Sequence, residues 1–344
     1  MDYLLKLKQK QINKNSMKTT IQQLALAFTL AIVFTSQLNA RIITLSNQTF
    51  PIVAQYTTLQ AAHDGAINGD TIYVYPSLTP YSAITISKKI AIIGTGFSLV
   101  NDYSDYSKIS GTFIFDAGAE GSLISSLIGT FDVNIKVARI TVQRCKINTI
   151  VVGNNLSNSN VNIVNCCLYS ERSTQISIGE NSLVGIYNNI FMKTYETHKI
   201  QIGLKGSAMI QNNFFMRADK SWWQYPNSYV ECSSAADVFI LNNICENPGS
   251  WGLSTGTLFK NNITIDANDV NYFVDFANGN YHLKDNSPAK AAGTDGKDLG
   301  IYGGDYPFID DGTPNLPTVY YMLVPTSAKQ SDGLPVVVKA KTNK

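Results

Sequence analysis

Short runs in which Ile, Val, Leu and Phe alternate with polar residues recur through the middle of the chain, and most end on Gly or Asn. A period of two marks a strand with one buried face, and Gly or Asn at its end marks a bend. The runs are themselves periodic. Gly185 to Phe191, Ala208 to Phe215, Phe239 to Cys245 and Leu258 to Thr264 share one pattern around an Asn-Asn pair. Two degenerate copies precede them, Ile163 to Leu168 and Thr141 to Ile147. Anchored on positions 144, 165, 188, 212, 242 and 261, the copies advance by 21, 23, 24, 30 and 19 residues. A second series, Ile150 to Gly153, Ile176 to Gly179 and Ile200 to Gly203, gives each repeat at least two strands.

Repeats of this length, each unable to bury its apolar face alone, stack into a solenoid. Neighbouring coils then lie about 4.8 Å apart, so a residue type kept at one position becomes a column. Asn tolerates the left-handed backbone region and its amide can bond the equivalent Asn one coil away, which predicts an asparagine ladder at the bend. The expected fold class is all-β: a right-handed parallel β-helix, the hand following from the rule for parallel crossovers. Leucine-rich repeats need a Leu-dominated consensus and propeller blades a period of about 40 or more. A β-sandwich with Asn-Asn turns is the remaining alternative.

The ends fit the same plan. Tyr56 to Asn68 reads as a short amphipathic helix with Leu59, Ala62, Ala66 and Ile67 on one side, able to cap the first coil. Thr71 to Tyr75 and Ile90 to Gly94 supply the first strands. After Gly304, Pro307, Pro314, Pro317, Pro325 and Pro335 punctuate a tail with strand-like runs at Val319 to Val324 and Val336 to Ala340, an extended tail or hairpin closing the far end.

The first forty residues differ. A polar, basic stretch precedes Met17 and Lys18, and an apolar run follows from Leu24 to Thr35. It falls short of the roughly 20 apolar residues that a membrane-spanning helix needs, and it reads as a secretory signal with cleavage after Ala40 and Met17 as the initiator. An uncleaved anchor is the alternative. The organisation expected is a leader over 1–40, a β-helix over 41–304 and a tail over 305–344. No stable membrane span remains after cleavage, and the location expected is periplasmic, cell-surface or secreted.

A net charge of +2 with 15% charged residues leaves no basic footprint for nucleic acid. Five cysteines, Cys145, Cys166, Cys167, Cys232 and Cys245, are spaced neither as a disulfide framework nor as a zinc site. Cys145 and Cys166 fall in one column, close enough for a disulfide or for a buried thiol stack. His63, His198 and His282 have no ligand spacing.

Thr58 to Ala62 through Gly69 to Val74 resembles the N-terminal cap and first strand of bacterial pectin-lyase-fold proteins. Asn280-Tyr281-His282-Leu283, Ser287-Pro288-Ala289 and Asp298-Leu299-Gly300 resemble the last coil of exported right-handed β-helix repeat proteins. The resemblance spans roughly residues 55 to 304 and implies the scaffold. It does not imply one activity, because the fold hosts lyases, hydrolases and proteins without a known reaction.

A polysaccharide lyase of this fold would need a Lys or Arg base beside a uronate carboxylate that a cation such as calcium neutralises. Lys193 and Arg217 share one position after Asn-Asn in successive coils, and Arg172 lies two positions out of alignment. Glu196, Asp219 and His198 lie in the same loops; Glu196 and Asp219 are the acids that calcium could use. The long step between Asn212 and Asn242 holds Trp222, Trp223 and Tyr225, an aromatic platform for sugar rings or a cover for the barrel. A hydrolase would need paired aspartates, and the one adjacent pair, Asp310-Asp311, sits in the tail. The expected function is binding of polysaccharide through Arg172, Lys193, Arg217, His198, Trp222, Trp223 and Tyr225. Lys193 or Arg217 would be the base if the polymer is cleaved. A non-catalytic structural or adhesion protein of the envelope and a uronate lyase are the alternatives.

Overall fold

A computed structural model of the chain describes residues 40–48, 54–99, 106–156, 160–170, 174–192, 198–216, 228–232, 237–246, 250–253, 257–266, 271–314, 316–323, 333–334 and 336–342. The chain divides into Met1–Ala40, of which Ala40 alone is described, and Arg41–Lys344, the part discussed below.

The alternating runs form a right-handed parallel β-helix. Its first face is a ladder of ten parallel strands that begins with Ile42–Leu45, Thr71–Val74 and Ala91–Ile93, and ends with Ser207–Gln211, Val238–Leu241 and Leu258–Lys260. In the upper coils the opposite wall is nearly continuous, with Lys108–Phe115 paired along its whole length with Ile128–Ile135. Below that strand the wall divides. Ile128 pairs with Lys146, whereas Val133 to Ile135 pair with Ile150 to Val152. Lys146–Ile147, Cys167–Leu168, Ile190–Phe191, Phe214–Phe215, Ile244–Glu246 and Ile263–Ile265 continue as the second face. Ile150–Val152, Ile176–Ile178, His198–Ile202, Ser228–Cys232 and Ser250–Gly252 continue as the third.

The register explains the inner core. Val142, Ile163, Ile186, Ile210 and Ile240 follow one another in the first ladder, and all are buried. On the second face Phe191 lies directly over Phe215, rings stacked at 4.5 Å. β-Branched side chains suit such columns because they fit the pleated surface with few rotamers to lose.

The two residues of each Asn-Asn pair divide the roles expected of one. The first, at 188, 212, 242 and 261, has φ between 53° and 57°, and Asn165 and Arg144 of the degenerate copies take the same turn at 55° and 51°. The second points inward: Asn213 Oδ1 accepts from the Asn189 backbone N–H at 2.9 Å, and Asn243 Oδ1 accepts from Asn213 N–H at 2.8 Å. Each amide also donates across the coil, Asn189 to Ile163 O, Asn213 to Ile186 O and Asn243 to Ile210 O. For buried amides this continuous satisfaction fixes the bend. Cys145 and Cys166 extend the column upward as buried free thiols, and burial together with the neighbouring Cys145 pushes the Cys166 thiol up.

The helix predicted over Tyr56 to Asn68 is shorter, Leu59–Gly65, because Ala66 is already extended. Thr58 caps its start, and Lys88 Nζ donates to the carbonyls of His63, Asp64 and Ala66 at its end. Leu59, Ala62 and Ala66 join the core of the first coils.

The segment read as a last coil does not stack. Phe273–Asp275 and Asn280–Leu283 form a separate antiparallel hairpin, and the chain then returns along the outside of the solenoid. This strap follows the outward Asn column, which donates to it coil by coil: Asn261 to Ala292 O, Asn212 to Gly300 O, Asn188 to Ile301 O and Gly303 O, and Asn165 to Tyr306 O. Arg144 then donates to Thr313 O and the Phe97 N–H to Asp311 O. Gly96 permits that last approach, since with its φ of 105° a Cβ would stand 2.4 Å from Asp311 O. Hairpin and strap also bury a second core. Cys167, Ile190, Phe214 and Ile244 point outward from the second face into Phe273, Tyr281, Leu283, Leu299 and Ile301. Beyond the strap, Pro317–Leu323 pairs antiparallel with Val337–Thr342. The tail was expected, as an extended run or a hairpin, to close the far end; this pair of strands leaves instead from beside the coil of Arg144.

Candidate functional site

The bend between the first and second faces spends its polar groups on the ladder and the strap. The bend between the second and third faces is different. At its upper end it is tight: Asn148 N–H donates to Phe131 O, and Thr149 Oγ1 donates to Asp132 Oδ1 at 2.6 Å. Further down, Gln175, Lys199 and Tyr229 occupy successive levels, each directly before one of the register partners Ile176, Ile200 and Val230 of the third face. All three are buried. Gln175 Nε2 donates to Leu168 O and Met192 O, Lys199 Nζ donates to Met192 O at 2.6 Å, and the Tyr229 hydroxyl donates to Glu246 O. Burial pulls the Lys199 ammonium down to about 7, against the opposing pull of Glu246. Gln175 Oε1 is buried with no hydrogen-bond partner among the described residues. These long polar side chains fasten carbonyls where the chain leaves and re-enters the wall.

Outside this bend lies an open groove of about 390 Å³ lined by Asp132, Asn148, Thr149, Val151, Ser170, Thr174 and Ser177. Its lining follows from strand alternation. Val151 and Ser177 are register partners whose neighbours Ile150, Val152, Ile176 and Ile178 point into the core, so they face outward. The result is a hydroxyl-rich surface, with the one amide of Asn148, that steps from coil to coil.

Arg172, Lys193, Glu196, Arg217, Asp219, Trp222, Trp223 and Tyr225 lie outside the described residues. His198 opens the strand His198–Ile202 opposite Ser228, and its side chain is likewise outside the description. The described residues on either side of these segments are Ser170 and Thr174, Met192 and His198, and Met216 and Ser228, each pair spanning the second-to-third bend of successive coils. Among the described residues no group of three or more His, Cys, Asp or Glu could hold a metal ion.

A second constellation went unseen because its members are 20 and 8 residues apart along the returning strap and meet only when it is folded. His282 Nε2 lies 2.9 Å from Asp310 Oδ2, and the Tyr302 hydroxyl donates to Asp310 Oδ1 at 2.5 Å. The His282 and Tyr302 rings stack at 3.9 Å and 15°. Burial, with the Asp310 carboxylate adding to it, raises the Tyr302 phenol far above its ordinary value, so it stays a proton donor. With Ser98, Leu99, Gly279, Asn280 and Asp311 these groups line a pocket of about 270 Å³. The usable signal in the sequence was the adjacent Asp310-Asp311 pair.

No family model matches the chain, and no curated protein matches it in sequence. Among solved structures, the crystal structure of pectate lyase Pel9A matches with 13% identity over 77% of this chain and 97% of that one, at a TM-score of 0.38. At that level the likeness bears on neither activity nor substrate, and the fold assignment rests on the strand ladders themselves.

Proposed function

We propose that the chain binds a linear acidic polysaccharide along the bend between its second and third faces. The observation that carries this reading is the polar groove of Asp132, Asn148, Thr149, Ser170, Thr174 and Ser177, on the same bend whose successive coils flank the segments holding Arg172, Lys193 and Arg217. Hydroxyls on neighbouring coils suit a polymer that repeats its own hydroxyls along one axis, and the cationic residues of the flanking segments would suit a uronate. Trp222, Trp223 and Tyr225, in the segment between Met216 and Ser228, would stack on sugar rings. The leader over residues 1–40 belongs to this reading, because export would bring the chain to such a polymer.

The test is affinity electrophoresis of the purified protein in gels carrying acidic or neutral polysaccharides, with and without calcium. Retardation by an acidic polymer is expected, with the dissociation constant rising at least about tenfold in Ser177→Trp and in the Lys193→Ala/Arg217→Ala pair. Affinity that neither variant changes would refute the site. Ultraviolet-absorbing unsaturated uronates released during incubation would turn the reading from binding protein to lyase.

A further inference from the structure

The pocket of His282, Tyr302, Asp310 and Asp311 lies on the strap's side of the second face, with the groove of Asn148 and Ser177 at that face's other border. We infer that it is a separate site for a single sugar ring that carries no carboxylate, an amino sugar being held most tightly.

Size limits the ligand first. At about 270 Å³ the pocket falls just under the span of roughly 300–1,000 Å³ usual for drug-sized ligands, which leaves room for one ring and not a chain. Its walls mix the two surfaces that a pyranose presents. Leu99 and the stacked rings of His282 and Tyr302 offer apolar area to the C–H faces of a sugar. The acceptors for its hydroxyls are carboxylates. Each Asp310 oxygen is engaged once, by His282 or by Tyr302, and each retains a second lone pair. Asp311 Oδ1 accepts from the Thr313 N–H and hydroxyl, while its Oδ2 has no partner among the described residues.

Charge then selects among sugars. A uronate would carry its own carboxylate against Asp310 and Asp311, whereas the ammonium of an amino sugar would meet Asp311 Oδ2 in a charge-assisted hydrogen bond. Arg144, half-buried and donating to Thr313 O, also interacts electrostatically with Asp311, so one neighbouring cation stands against the two carboxylates and the pocket keeps its acidic balance. The preference is thus opposite in sign to the one proposed for the basic bend, and it does not depend on it.

The protein has three histidines, so the imidazole carbon-bound protons give a sparse NMR spectrum in which His282 is identified by His282→Asn. At pH 7, glucosamine should shift the His282 signals with a dissociation constant of about 1 mM, glucose should do so more weakly, and glucuronate should leave them in place. Asp311→Asn keeps the Oδ1 acceptor for Thr313 and should lower glucosamine affinity about tenfold to the level of glucose, with the His282 signals of the free protein unmoved. Ser177→Trp should alter none of these shifts. An unmoved His282 at saturating glucosamine would overturn the inference, as would an equal response to glucuronate or an Asp311→Asn variant that binds as the parent does. In the first of those cases the His282–Asp310 contact only pins the hairpin to the strap.

Discussion

The two bends of each coil are built from similar polar residues and put to opposite use. At the first-to-second bend the asparagine amides donate inward to the neighbouring coil or outward to the strap, and Asn212 Oδ1 is the one buried asparagine oxygen there without a partner among the described residues. At the second-to-third bend the commitment is partial. Gln175, Lys199 and Tyr229 hold carbonyls of the wall, and the hydroxyls of the groove face outward. A bend whose polar groups satisfy each other can only be kept, because altering one residue orphans its neighbours in two coils. A bend that leaves them outward can change its segments without disturbing the ladder, which is where recognition can be placed.

The contrast can be broken most severely at the ladder. Asn213→Ala removes the acceptor of the Asn189 N–H and the donor to Ile186 O, and at 1–3 kcal/mol per orphaned group the expected loss is about 4 kcal/mol of global stability in denaturant melts. A loss below about 1 kcal/mol would mean that water replaces the amide, and that the two bends do not differ in kind. Phe214→Ala attacks the outer core instead. About 3 kcal/mol is expected, concentrated in the hairpin that packs on it through Phe273, Phe276 and Tyr281, so hydrogen exchange should quicken at residues 273–283 while the inner strands stay protected.

Lys199 sharpens the comparison at the other bend through pH. Its folded value of about 7 lies below that of an unfolded lysine, so between pH 7 and about 10 the unfolded chain binds a proton that the folded chain has released. Stability from this group therefore rises with pH, by up to about 1.4 kcal/mol per unit, and is flat below pH 7 where both states are protonated. The unfolding free energy of the parent minus that of Lys199→Met should grow across that window, the subtraction removing the groups that do not interact with Lys199. A difference that ignores pH would show that the ammonium reaches water. Ser177→Trp is the mildest change, costing stability little and acting on binding alone.

Much of the solenoid was legible because its repeat is a one-dimensional fact. The spacing of Asn188, Asn212, Asn242 and Asn261 names one bend, and the β-branched runs Ile150 to Val152, Ile176 to Ile178 and Ile200 to Ile202 name the third face. The closing segment was misread for the same reason. Asn280 to Leu283 has the alternation of a strand, and alternation cannot tell a strand that stacks in the solenoid from one that pairs antiparallel outside it. Nor could it reveal that Ile190, Phe214 and Ile244 are covered from outside, since a strand buried on both faces reads as a plain apolar run. Of the site residues singled out, the sequence supplied a shared position after Asn-Asn, which identifies a bend but carries no direction for a side chain.

The sequence by itself determined what depends on local period and residue chemistry: the coil, its hand, and a bend of asparagines that take the left-handed turn and bond from coil to coil. The tertiary structure alone decided what depends on a distant segment returning. The strap's path over the Asn column, the second core and the meeting of His282, Tyr302 and Asp310 have no signature in spacing, because each is created by the chain's reversal after residue 271 and by the close approach that Gly96 permits.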